Sequence, residues 1–296
     1  MMNDDSLTTL VGADRLQARI IAGPAPVLID VSFDLADAAA GAASWHAARL
    51  PGSIYLHLER DLCGPKTGPD GVFHGRHPLP ARADFAAVLG RCGITPATQV
   101  VALDRQGGMY AARLWWMLRW MGHAAVAVLD GGVAAWAAAG GALKTDASDA
   151  ADPAAPAAAA PYPDRPPLQR TIGAAALAAQ LGRVRLIDAR AGERFRGEVE
   201  PLDASAGHIP GALNRFFKDN LDAAGRFKPA AQLRAEFAAL LGTHPAGAAV
   251  HQCGSGVTAC HNLLAMSHAG LPAALLYPGS WSEWSADPSR PVARGG

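Results

Sequence analysis

Short apolar runs punctuate the chain: VLID at 27–30, QVVAL at 99–103, AVAVL at 125–129, RLID at 185–188, AAVH at 248–251 and AALLY at 273–277. Runs of this length, bounded by turn residues, predict strands buried on both faces. Between them the period changes. Over 80–93, 109–122, 230–242 and 259–270 apolar residues recur at three and four, which predicts helices. Strand and helix alternating at this spacing predict an α/β fold of parallel sheets with helices on both faces.

The pattern occurs twice. VLIDV (27–31) returns as RLIDA (185–189), and ARLPGSIY (48–55) as GHIPGALN (207–214). VALDRQGGMYAARL (101–114) aligns without a gap on VHQCGSGVTACHNL (250–263), and VLDGGVAAW (128–136) on LYPGSWSEW (276–284). The echoes keep one order, as duplication of a whole domain requires; a solenoid would show shorter, more numerous repeats. Residues 146–167, rich in Pro, Ala and Asp, predict a linker, because the prolines block a long helix. The predicted domains are 1–145 and 168–296.

Composition narrows the functions. With 26 basic against 26 acidic residues and no basic block, nucleic acid is not an expected partner. No apolar run approaches the roughly 18–20 residues that span a bilayer. The acidic, polar start MMNDDSLTTLVG lacks the basic and apolar stretches of a secretion signal, so a cytoplasmic location is expected. The four cysteines, Cys63, Cys92, Cys253 and Cys260, are too few for a disulfide scaffold and include no C-x-x-C pair. No metal site is expected.

Cys253 sits where chemistry is expected in such sheets, between a strand end and a helix start. Gly254 and Gly256 allow successive backbone N–H groups to face inward as an anion nest, to which the next helix adds its positive end. A thiol inside such a ring is expected to be a thiolate near neutral pH. The alternative is a buried, inert cysteine. Three chemistries could use the turn. A cysteine phosphatase needs an arginine shortly after the thiol to clamp phosphate; six residues on stands Ala259, and no Arg or Lys occurs between 251 and 289. A dithiol oxidoreductase needs a resolving thiol, and Cys260 reads better as helix packing. Sulfur transfer through a persulfide suits an uncharged turn best.

These features together, tandem domains with CGSGVTAC, GHIPGALN and GSWSEW, resemble the two-domain rhodanese-like sulfurtransferases over nearly the whole chain. The turn CGSGVT resembles that of the 3-mercaptopyruvate branch, whereas thiosulfate-preferring relatives carry basic residues after the cysteine. The resemblance implies a non-catalytic N-terminal domain, and Asp104 indeed stands at the position of the cysteine. It implies sulfur transfer from 3-mercaptopyruvate through a Cys253 persulfide, with release of pyruvate, to cyanide or a thiol such as thioredoxin. No cofactor is implied. The N–H groups of Gly254, Ser255, Gly256, Val257 and Thr258 would cradle the persulfide.

The resemblance also implies a Ser255–His77–Asp61 relay that protonates the departing enolate, with His74 a competing assignment for the histidine. It gives Arg194, in DARAGERFRG, the substrate carboxylate. Arg190 is expected to pair with a carboxylate inside the domain, and Arg196 to face solvent. A second substrate arginine is expected where Leu202 stands. That departure keeps a thiosulfate:cyanide sulfurtransferase open, and a sulfur carrier or redox sensor without turnover is the non-enzyme alternative. Trp115, Trp116, Trp120, Trp136 and Trp284 are expected to be core residues, and Trp281 to wall the active-site cleft.

Overall fold

The computed structural model describes residues 6–145 and 160–296. Positions 146–159 of the expected linker therefore lie outside the described residues. The remainder, 160–167, is not a detached tether: Tyr162 is buried, its N–H donates to Ala86 O at 2.9 Å, and its hydroxyl lies 3.1 Å from His123 Nδ1.

Two compact units form. In the first, five short strands make a parallel sheet: β1 (Leu10–Val11), β2 (Val27–Asp30), β3 (Ile54–Tyr55), β4 (Val100–Leu103) and β5 (Val126–Leu129). Their order is β1-β5-β4-β2-β3. Helices α1 (Ala13–Ala22), α2 (Ala40–Ala47), α3 (Leu58–Asp61), α4 (Arg82–Arg91), α5 (Ala111–Trp120) and α6 (Gly132–Ala138) complete it. The central strands β4 and β5 are apolar at every position because neither face meets water. Residues Leu16, Leu50, Val101 and Trp136 belong to its core.

The second unit repeats the plan. Strands β6 (Arg170–Thr171), β7 (Leu186–Asp188), β8 (Ala212–Asn214), β9 (Val250–Gln252) and β10 (Leu275–Leu276) are parallel, in the order β6-β10-β9-β7-β8. Renumbered from its own first strand, this is the permutation of the first sheet. Helices α7 (Ala174–Ala178), α8 (Gly192–Arg196), α9 (Ala230–Leu241), α10 (Ala259–His268) and α11 (Ser280–Ala286) surround it. Trp281 and Trp284 are fully buried in its core with Leu177 and Ile209.

The six apolar runs seen in the sequence are β2, β4, β5, β7, β9 and β10. The four remaining strands stand among glycine and polar neighbours, so no apolar run of four or more marks them. The chain also divides differently from a cut at the linker. Cys63–Leu79 gathers with the second unit, although it precedes α4 of the first. This segment is a hairpin-like loop, braced by His74 N–H to Lys66 O (2.8 Å) and Gly64 N–H to Pro78 O (3.0 Å). His77 is thereby part of the second unit.

In that unit β7 leads to β8 on one side and β9 leads to β10 on the other. Their carboxyl ends form the switch point where parallel sheets open a crevice. Cys253 directly follows β9, and Arg190 lies just beyond β7.

Candidate active site

The turn from Cys253 to Thr258 is buried throughout, and Cys253 is 2 % exposed. Gly256 has φ +77°, and a Cβ there would stand 2.3 Å from Pro278 O, so both conformation and contact demand glycine. The turn is stitched to the start of α11. Trp281 N–H donates to Cys253 O at 3.0 Å and Ser282 N–H to Gly254 O at 2.9 Å. Cys253 N–H donates to Ser280 Oγ at 3.1 Å, and that hydroxyl donates to Tyr277 O at 2.9 Å.

Ser280 holds this place at a conformational cost. Its φ of 55° is the one positive φ among the described non-glycine residues. A left-handed conformation costs such a residue roughly 1–2 kcal/mol. The aligned position in the first unit is Gly132, with φ 58°. The backbone shape is common to both copies; the hydroxyl that fixes the Cys253 amide is particular to the second.

The first unit also shows what this kind of loop holds. The Asp104 carboxylate, at the cysteine position, accepts from the N–H groups of Gln106 (2.9 Å), Gly108 (2.8 Å), Tyr110 (2.8 Å) and Ala111 (2.9 Å). Burial pushes the pKa of Asp104 up, and the four N–H groups oppose that rise. The loop is thus an anion nest filled by its own side chain. The second copy has a thiol at that position and no carboxylate.

Two elements, the 63–79 loop and α8, bring three polar side chains to the second turn. From the 63–79 loop, His77 is buried and its Nδ1 lies 2.8 Å from Ser255 Oγ. His74 instead lines a cavity of about 390 Å³ with Pro65, Tyr277 and Glu283. From α8, Arg194 is held by Glu200 (Nη2 to Oε1, 2.6 Å) and Asp203 (Nη2 to Oδ2, 3.3 Å). The third contribution went unseen in the sequence. Arg76 pairs through Nη1 with Asp203 Oδ1, and its Nη2 lies 2.9 Å from where a Gly254 Cβ would be. Arg194 Nη1 lies 3.4 Å from the same point. The turn is uncharged in sequence, yet in space two guanidinium groups and two buried carboxylates flank it.

Other expected residues fall as follows. Asp61 belongs to the first unit, where its carboxylate accepts from His57 N–H at 2.7 Å and pairs with Arg60 at 2.8 Å. Arg190 pairs with Asp188 at 2.7 Å and with Glu200 at 3.3 Å. Arg196 is 41 % exposed and pairs with Glu198. Leu202 turns its side chain out at 45 % exposure, while its N–H donates to Glu200 Oε1 at 3.1 Å. Trp281 walls no open cleft: it is fully buried, and the Arg190 guanidinium stacks 4.8 Å from its ring centre. Cys260 donates to Gly256 O at 3.3 Å from a buried position. Burial, reinforced by Asp61, pushes the Cys92 thiol up to about 11, so it stays protonated.

No helix of the described residues is long and apolar enough to cross a membrane.

Comparison with known proteins gives this arrangement a family. Rhodanese-like domains match residues 12–139 and 173–287. A Pseudomonas aeruginosa protein named "Probable 3-mercaptopyruvate sulfurtransferase" is 47% identical over 293 residues, covering 98% of this chain and 99% of that one. The thiosulfate sulfurtransferase of Cricetulus griseus is 33% identical over 280 residues, covering 92% of this chain and 90% of its own. Among solved structures, that of SseA from Escherichia coli, a 3-mercaptopyruvate sulfotransferase, superposes with a TM-score of 0.72 at 29% identity, covering 93% of this chain and 99% of that one. With both halves matched and the duplicated sheet order in place, the chain belongs to the two-domain rhodanese-like sulfurtransferases.

Proposed function

We propose that the enzyme takes sulfur from 3-mercaptopyruvate. The observation that carries this reading is the 2.8 Å contact between His77 Nδ1 and Ser255 Oγ, two residues beyond the nucleophile. A proton path at that place serves a carbon leaving group, which must be protonated. Sulfite, the leaving group of thiosulfate, departs as a stable anion.

Chemically, the Cys253 thiolate attacks the donor's sulfur. The S–S bond forms, the C–S bond breaks, and its electron pair passes to carbon as the enolate of pyruvate. The proton from the donor's thiol reaches that carbon through Ser255 and His77, giving pyruvate and the enzyme persulfide. Asp61 is the proposed third member of the relay, on the strength of the resemblance. Arg194 holds the carboxylate, and the N–H groups of 254–258 stabilise the outer sulfur, as those of Gln106 and Gly108, aligned with Ser255 and Val257, stabilise Asp104. An acceptor thiol, such as that of thioredoxin, or cyanide then takes the outer sulfur and regenerates the thiolate. The first unit is non-catalytic, its nest being occupied by Asp104. We place the enzyme in the cytoplasm.

Charge supports the same donor. Arg76 and Arg194 face Glu200 and Asp203, so the group carries no net charge and suits a single carboxylate better than a compact dianion. The deciding experiment compares kcat/KM for 3-mercaptopyruvate and thiosulfate with one acceptor. Mercaptopyruvate should be strongly preferred; a preference for thiosulfate would assign the other donor.

A further inference from the structure

The missing arginine at position 202 leaves the carboxylate of mercaptopyruvate with one assigned partner, Arg194. The segment that would have carried it does a different job here. Glu200 and Asp203 turn inward, each 3 % exposed in its side chain, and Leu202 faces out. Both carboxylates hold guanidinium groups. Asp203 is shared, taking Arg76 on Oδ1 and Arg194 on Oδ2. One buried carboxylate therefore sets the spacing of two arginines.

Neutralising those acids does not by itself require Arg76. Arg194 already contacts both, and Arg190 contacts Glu200. What Arg76 adds is position. Its backbone N–H is fixed at 3.0 Å by Oγ of Ser282, the same residue whose own N–H holds Gly254 O. Its Nη1 goes to Asp203, which leaves Nη2 turned to Gly254, alongside Arg194 Nη1. The two side chains keep 20 % and 18 % exposure while the acids beneath them are sealed. Gly254, without a Cβ, lets both groups approach the backbone one residue from the nucleophile.

We propose that Arg76 is a specificity-determining residue of the sulfur-transfer site: Arg76 Nη2 and Arg194 Nη1 together clamp the carboxylate of the sulfur donor, Arg76 taking the part that Leu202 cannot. The charge has moved from the 200–203 segment to the hairpin-like loop that also carries His77. The loop thus supplies both a carboxylate anchor and a proton path, which couples donor binding to the relay. This inference rests on the mercaptopyruvate reading.

The test uses Arg76→Gln and Arg76→Lys in the full chain, with the melting temperature as a check on folding. Losing one charge-assisted bond should raise KM for 3-mercaptopyruvate about tenfold to hundredfold in Arg76→Gln, with kcat within about threefold of wild type. Arg76→Lys, which keeps the charge without the fork, should fall between. Pyruvate, a product with the same carboxylate, should weaken as an inhibitor by a similar factor. Cys253 alkylation supplies a readout independent of the donor. The rate ratio of iodoacetate to iodoacetamide should drop in Arg76→Gln, because only the former carries a carboxylate. An unchanged KM and unchanged ratio would overturn the proposal, and so would a loss confined to kcat, which would make Arg76 a positioning residue for His77. If the wild type uses thiosulfate and not mercaptopyruvate, the donor reading fails, and the alkylation ratio still decides whether Arg76 binds carboxylate.

Discussion

His77 Nδ1 and Ser255 Oγ stand 2.8 Å apart across 178 positions of chain, both inside the second unit. A buried histidine facing a buried hydroxyl has few structural purposes that a hydrophobic pair would not serve better. If the pair moves a proton to the enolate, His77→Gln should lower kcat on 3-mercaptopyruvate by about a hundredfold or more. Ser255→Ala should do much the same, and the double variant should be little worse than either, since the two act as a unit. Turnover of thiosulfate should suffer far less. Steady-state rates with both donors check this; equal losses on the two would show a structural pair.

The thiols separate cleanly. Cys253→Ser should abolish transfer, because nothing else in the turn can carry the sulfur. Cys260 is fully buried on α10 and bonds to Gly256 O, so Cys260→Ser should keep most activity. After exposure to mercaptopyruvate without acceptor, mass spectrometry should find one added sulfur atom on Cys253 in the wild type and in Cys260→Ser. Equal inactivation by both substitutions would indicate a dithiol mechanism.

The frame of this site was readable in the sequence because its parts are local. Strand, glycine turn and helix follow one another from Val250 to His268, and the duplicated order announced two sheets. Ser255 and His77 could be paired only through a resemblance, since no local pattern joins residues so far apart. Arg76 escaped for a related reason. Its neighbours in space, Asp203 and Gly254, are distant in sequence, and a single arginine in a loop carries no periodic signature. The neutrality of CGSGVT was a true statement about sequence and a poor guide to the field around it. Ser280 was hidden differently: a positive φ at a serine is visible only in the backbone, although the aligned Gly132 held a hint.

Ser280→Gly tests the strained contact. Glycine relieves roughly 1–2 kcal/mol of left-handed strain and leaves the buried Cys253 N–H without its acceptor, which costs roughly 1–3 kcal/mol. The melting temperature should therefore scarcely move. Turnover should fall, because the Cys253 N–H loses its acceptor and the nucleophile its fixed position. A variant with wild-type kcat would make Ser280 dispensable for catalysis.

Asp104→Asn should show the opposite split. The amide nitrogen cannot accept, so about two of the four N–H groups lose their partner. At roughly 1–3 kcal/mol for each buried group left unsatisfied, the loss of stability is about 2–6 kcal/mol. Denaturant unfolding should register it, while kcat of the folded fraction should stay near wild type. A large fall in kcat without loss of stability would give the first unit a part in the chemistry.

His251 makes stability depend on pH. It lies on β9, fully buried, with neither ring nitrogen hydrogen-bonded among the described residues. Burial pushes its pKa down to about 3, against about 6.5 in an unfolded chain. The sign follows from which state binds the proton. Above pH 6.5 both states are neutral and the histidine adds no pH-dependent cost; below it the unfolded chain takes up a proton that the folded one refuses. Stability is therefore complete above about 6.5 and falls as pH drops, by up to about 1.4 kcal/mol per unit, until the folded pKa is reached. His251→Leu removes that proton and the unsatisfied ring nitrogens together. The variant should match or exceed wild type at pH 7 and gain on it steadily from pH 6 to pH 4, where the carboxylates common to both proteins cancel. Denaturant unfolding at several pH values measures the difference. Parallel curves for the two proteins would mean that His251 does not set the acid sensitivity of this fold.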